Sequence, residues 1–131
     1  MINDTGLVVG IEHIKQLCDI GINNINKHHS DLLRDKKIII VNGDGRLGYE
    51  KYAPYKAIHV GAAIPQVPEE LIAQLDYNGR MFIPVGERNE NQWICLFDKD
   101  SEGNVQETKV MPVCYGALTS PEIQLQNYRK K

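Results

Sequence analysis

No stretch of this sequence stays apolar for the roughly 20 residues that a bilayer-spanning helix requires, so helical membrane spans are excluded. The first residues, Met1 to Gly6, have neither the basic start nor the long apolar core of a signal peptide. Charge of one sign is also missing. A net charge of −2 and a pI near 6.1 leave no electrostatic footprint for nucleic acid, and the basic end Arg129-Lys130-Lys131 reads as a solvated tail. Cysteine is scarce: Cys18, Cys95 and Cys114 are widely spaced, odd in number and contain no C-x-x-C pair. A disulfide framework and a metal site are therefore unsupported, and reduced, buried thiols in a cytosolic protein are the economical expectation. No Ser-His-Asp set, phosphate loop, zinc spacing, internal repeat or low-complexity segment can be assembled, so no catalytic residue and no metal ligand is assigned.

What is present has the balance of an ordinary globular protein, 42% apolar and 24% charged. At 131 residues it is about one domain, small for a complete doubly wound sheet. The organising stretch is Val8-Val9-Gly10-Ile11-Glu12-His13-Ile14, an apolar run closed by an acid where a helical pattern begins. Such a run is how a buried parallel strand reads, and its carboxyl end is where open α/β sheets bind ligands. Glu12 there can accept two hydrogen bonds from the vicinal hydroxyls of a ribose. It can equally be a first-turn acid serving a helix dipole.

The first strand is expected over Leu7 to Ile11. A helix follows from Glu12 to about Lys27, with apolar residues Ile14, Leu17, Cys18, Ile22 and Ile25 near a 3.6-residue period. His28-His29-Ser30-Asp31 breaks the pattern and reads as a surface helix terminus, since adjacent histidines project in different directions. The β-branched run Ile38 to Val41 is a second strand ending at Asn42-Gly43-Asp44-Gly45-Arg46. Leu47 to Lys56 crosses to a third strand, Ala57 to Val60, with Gly61-Ala62-Ala63 behind it. Pro68-Glu69-Glu70 starts a helix with the apolar face Leu71, Ile72 and Leu75, and Tyr77-Asn78-Gly79 ends it. Arg80 to Gly86 is a fourth strand. Trp93 to Phe97 and Val110 to Leu118 form a ribbon joined by the loop Asp98 to Gln106. This order predicts an α/β fold: a parallel sheet layered with helices, with an antiparallel ribbon at its edge.

Glu12 and Gly43-Asp44-Gly45 end consecutive strands, and neighbouring parallel strands place such ends about 5 Å apart on one side of the sheet. A ribose on Glu12 puts its base near Asp44, which can accept from an exocyclic amine, while the glycines let backbone approach the ring edge. Asn42-Gly43-Asp44-Gly45 can also be merely a tight turn. His59, inside an apolar strand, reads as a hydrogen-bonded core residue rather than a base.

Val9-Gly10-Ile11-Glu12-His13-Ile14, Gly43-Asp44-Gly45-Arg46 and Ala53-Pro54-Tyr55-Lys56-Ala57-Ile58-His59-Val60-Gly61-Ala62-Ala63 closely resemble protein-L-isoaspartate O-methyltransferases. Arg80 to Gly86 and Leu118-Thr119 fit the same family, and the blocks run in order nearly end to end. The resemblance implies a Rossmann-like, S-adenosylmethionine-dependent methyltransferase sheet with a carboxyl-terminal antiparallel ribbon. It implies that Glu12 binds the cofactor ribose with His13 beside it, and that Asp44 and Gly45 hold the adenine. Thr119 and Gln124 match a threonine and a glutamine at the family's cofactor site, although the residues between them diverge. The implied reaction methylates the carboxylate of isoaspartyl residues in damaged proteins. The ester then closes to a succinimide that reopens partly as normal aspartate, which is repair. Isoaspartyl proteins are the implied partners, with no nucleic acid and no membrane.

The family also has a substrate-binding amino-terminal region, an active-site serine and a first strand ending in G-x-G-x-G, none of which is found here. Residues 1–131 are thus expected to be a single partial domain, incomplete at its amino-terminal side and begun or cut at an internal methionine. In the family a strand lies between those at Leu7 and Ala57, and its loss leaves a gap of about 10 Å between them. Both become exposed edges. The isolated chain is expected to be inactive and to self-associate or need a further piece. The alternatives are a non-catalytic binding fragment, or another nucleotide-binding enzyme such as a nicotinamide dehydrogenase, which also uses an acid after its second strand.

Overall fold

A computed structural model describes residues 5–88 and 90–129, with backbone only for 127–129. The basic end at Lys130 and Lys131 lies outside the described residues. The strands are β1 (Val8–Glu12), β2 (Ile38–Asn42), β3 (Tyr55–His59), β4 (Leu75–Val85), β5 (Gln92–Lys99) and β6 (Val105–Val113). The helices are α1 (Lys15–Arg34), α2 (Glu69–Ala73) and α3 (Pro121–Arg129). They fall into two compact units, one holding the chain to Gly45 together with the segment from Ser120, the other spanning Arg46–Thr119.

In the first unit β1 and β2 pair in parallel, in register from Val8↔Ile38 to Glu12↔Asn42. Parallel neighbours require a crossover, and α1 supplies it. Ile14 and Cys18 are buried, whereas Leu17 (45% exposed) and Ile20 (53% exposed) face outward, so the inward stripe of α1 is narrower than the apolar spacing suggests. The helix also runs past the expected stop. His29 is non-helical (φ −139°, ψ 38°), but the chain resumes its helix to Arg34, so the histidine pair marks a kink rather than an end. The true terminus is a Schellman closure in which Lys37 N–H donates to Leu32 O (2.8 Å) and Lys36 N–H to Leu33 O (3.1 Å). Lys36 takes a left-handed φ of 54° there.

The second unit is a four-stranded sheet in the order β3-β4-β5-β6. β3 is parallel to β4, with Ile58 opposite Met81, and the other pairs are antiparallel, with Ile83 opposite Cys95 and Phe97 opposite Glu107. Alternate residues share a face, so Met81, Ile83, Cys95 and Phe97 all turn toward Ile64, Leu71 and Leu75 in one core. Here three boundaries shift. α2 has only five residues, and Leu75 opens β4 instead of completing the helix face. Tyr77-Asn78-Gly79 lies within β4 rather than ending the helix. Lys99 explains the short helix, since its Nζ donates to the carbonyls of Ile72 (2.8 Å) and Leu75 (2.7 Å) just where α2 stops. The ribbon's return strand begins at Val105, not Val110. Asp100 Oδ1 accepts the N–H groups of Glu102 (2.8 Å) and Asn104 (2.9 Å), and this Asx turn reverses the chain within a few residues.

The α/β class and the antiparallel carboxyl-terminal ribbon are present, distributed over two sheets. Among the described residues β1 pairs only with β2 and β3 only with β4.

Candidate cofactor site

The site is built at the carboxyl end of the β1–β2 pair. Glu12 is the last residue of β1, and its peptide is held closely. Its carbonyl accepts from Gly43 N–H (3.1 Å), Asn42 Nδ2 (2.9 Å) and the Cys18 thiol (3.3 Å). Its carboxylate accepts the N–H of Ile14 through Oε1 (2.8 Å), which serves the otherwise uncapped start of α1. The helix-capping alternative for this acid is therefore real. It does not use up the group: the side chain remains 37% exposed, and a carboxylate has about four acceptor positions.

His13 turns its ring Nε2 to Gln124 Oε1 at 2.5 Å, and the same nitrogen lies 3.9 Å from Glu12 Oε1. Gln124 stands on α3, in the same unit. The structure thus gathers Glu12, His13 and Gln124 around one strand end. Sequence reasoning did not anticipate α3, although its start signal is visible: Ser120 precedes Pro121 at the first helical position and Glu122 in the first turn. The Ser120 carbonyl accepts Gln124 N–H at 3.1 Å.

Asp44 stands two residues beyond the end of β2 and is half-buried, and Gly45 opens a 3₁₀ turn to Leu47. Thr119 is half-buried at the end of the second unit, next to Leu118, whose N–H donates to Ala63 O (2.7 Å). His59 is not a core residue. It is exposed, with its ring stacked on Phe82 at 5.2 Å and 15°. On an edge strand one face of each residue meets solvent, which apolar neighbours in sequence do not reveal.

The donor set suits an adenosine: a part-exposed carboxylate at one strand end for vicinal hydroxyls, and a second acid after the next strand. A parallel β-α-β unit with acids at its rim is a Rossmann-like nucleotide-binding unit, and an antiparallel ribbon follows it in the chain. Residues 1–123 match the family description "Protein-L-isoaspartate(D-aspartate) O-methyltransferase (PCMT)". A protein-L-isoaspartate O-methyltransferase of Caenorhabditis elegans is 47% identical over 124 residues, covering 95% of this chain and 55% of that protein. Protein-L-isoaspartate O-methyltransferase 1 of Arabidopsis thaliana is 43% identical over 126 residues, covering 95% of this chain and 54% of its own length. A Plasmodium falciparum crystal structure described as a protein-L-isoaspartate O-methyltransferase in complex with S-adenosyl-L-homocysteine superposes with a TM-score of 0.76 at 26% identity. It covers 86% of this chain and 52% of that one. The chain belongs to the protein-L-isoaspartate O-methyltransferase family. It spans about half the length of the curated relatives it matches.

Proposed function

We propose that this chain carries the adenosine-binding side of an S-adenosylmethionine-dependent transfer of methyl to the carboxylate of L-isoaspartyl residues in damaged proteins. The observation that carries the reading is the convergence of Glu12, His13 and Gln124 at the end of β1, in a chain of this family. Glu12 accepts from the ribose hydroxyls, His13 lies beside it, and Gln124 holds His13. Asp44 and Gly45 take the adenine, and Thr119 joins the same cofactor site. Bound S-adenosylmethionine supplies a methyl group activated by its sulfonium. The acceptor carboxylate is ionised at neutral pH, so orientation and exclusion of water carry most of the demand on the protein.

In this reading residues 1–131 are one partial methyltransferase domain of a cytoplasmic repair enzyme. Among the described residues no helix is long and apolar enough to cross a membrane. The 131 residues contain no G-x-G-x-G turn for the methionine half of the cofactor. Taken alone, the chain therefore binds without turning over, and the edges of β1 and β3 invite self-association.

Calorimetric titration tests the reading. S-adenosylhomocysteine is expected to bind and NAD is not. Glu12→Gln is expected to weaken binding by about tenfold or more, the scale of a charge-assisted hydrogen bond. A preference for NAD, or indifference to Glu12→Gln, overturns the assignment. Methylation of an isoaspartyl peptide at full rate by a monomer of this chain overturns its dependence on a further piece.

A further inference from the structure

Three donors meet at the carbonyl oxygen of Glu12, and they differ in what they depend on. The Gly43 N–H belongs to the ladder of a parallel pair and is available whatever side chains stand nearby. The Asn42 amide (2.9 Å) and the Cys18 thiol (3.3 Å) exist only because those residue types occupy positions 42 and 18. A carbonyl oxygen has two lone pairs. The two nitrogen donors fill them at normal lengths, and the thiol adds a weaker third contact.

This oxygen sits where β1 ends, one residue after the last of its apolar run. The peptide it belongs to joins Glu12, whose carboxylate faces the rim, to His13, whose ring meets Gln124. The chain then turns at once into α1. Strand ends fray, because beyond the last paired residue each backbone group has one partner fewer. Asn42 is itself exposed and ends β2 opposite Glu12. Its amide therefore closes the ladder across the strand ends by a bond that an apolar residue there could not make. The residue after it, Gly43, donates to the same oxygen and leads into Asp44. One atom thus ties the Glu12 peptide to the turn that carries the second acid.

We infer that Asn42 is a positioning residue for ribose recognition: through the Glu12 carbonyl it fixes the Glu12 carboxylate relative to the Gly43-Asp44 turn. Cys18 supports it from α1. The inference rests on the proposed role of Glu12 as the ribose contact. It goes beyond that role by naming the side chain that presents the acid.

The test pairs two substitutions with two ligands, using the whole chain. Asn42→Asp keeps the shape and replaces the donor by an acceptor, and Asn42→Ala removes it. Each is titrated with S-adenosylhomocysteine and with its 2′-deoxyribose analogue, and melting temperatures confirm folding. Both substitutions are expected to weaken S-adenosylhomocysteine by about fivefold, the scale of one neutral hydrogen bond. The 2′-deoxy analogue, which keeps one of the two hydroxyls that Glu12 receives, is expected to lose clearly less. Cys18→Ala, which removes the weaker donor, is expected to shift the same ratio in the same direction by less. Equal losses for the two ligands identify a general structural role and overturn the inference, as does no loss for either. An unsubstituted chain that binds neither ligand, or does not distinguish them, overturns the ribose reading of Glu12 and the inference with it.

Discussion

His13 and Gln124 are 111 positions apart, yet the ring Nε2 of one meets the amide Oε1 of the other. The bond ties α3 to the end of β1 within one compact unit. A long-range bond of this kind closes a large loop and contributes only if the surrounding packing has already brought the helix home. Gln124→Ala is expected to cost about 1 kcal/mol of stability, read by chemical denaturation. In the proposed role it also weakens S-adenosylhomocysteine binding. An unchanged denaturation midpoint sinks the structural part of this claim.

Lys36 holds the left-handed position of the Schellman closure after α1, a conformation that glycine adopts without a Cβ penalty. Lys36→Gly is expected to stabilise the chain by up to about 1 kcal/mol. The gain is checked as a rise in melting temperature, and a fall counts against the assignment of the cap.

Gly48 also has a positive φ, 63°, and a Cβ placed there would press into the Gln74 side chain. That buried amide links two loop segments, accepting Tyr49 N–H (2.8 Å) and donating to Leu47 O (2.9 Å). Gly48→Ala combines backbone strain with the loss of these bonds and is expected to destabilise by about 2–4 kcal/mol. Gln74→Ala, which removes the bonds but not the glycine, is expected to be milder. Urea unfolding of both variants orders the two effects.

Cys95 is fully buried on β5. Burial first, and its hydrogen bond with the Glu107 side chain second, push the thiol up from 9.0 to about 11. A raised pKa means that the folded chain favours the neutral thiol. The corresponding stability is complete below pH 9 and is lost as pH rises through about 11. Cys95→Ala is expected to flatten the alkaline limb of the stability profile. Cys18 and Cys95 are buried as expected, but Cys114 is exposed, contrary to the expectation of three buried thiols. At pH 8 a thiol reagent should therefore titrate one group rapidly and all three in denaturant. Rapid reaction of Cys95 in the native chain contradicts this account.

Much of the fold is visible in local pattern. Ile38 to Val41 is β-branched throughout, and Met81 to Val85 and Trp93 to Phe97 are continuous apolar runs of strand length. Such signals arise within a few residues and survive any packing. The boundaries that moved depend on distant partners or on a single turn. α2 stops where Lys99, far along the chain, meets its last carbonyls. β6 begins early because Asp100 tightens its turn. α1 passes His29 because the chain absorbs one non-helical residue and continues.

For the site, the residue types and their order were enough to set two acids at consecutive strand ends, since strand identity and the position of a strand's last residue are local properties. They could not show that Gln124 reaches His13, that one oxygen of Glu12 gathers donors from β2 and α1, or that the strands divide between two sheets. Each of those depends on which distant segments win the competition to pair. That choice is made by the summed free energy of the packed chain and appears in no short window of sequence.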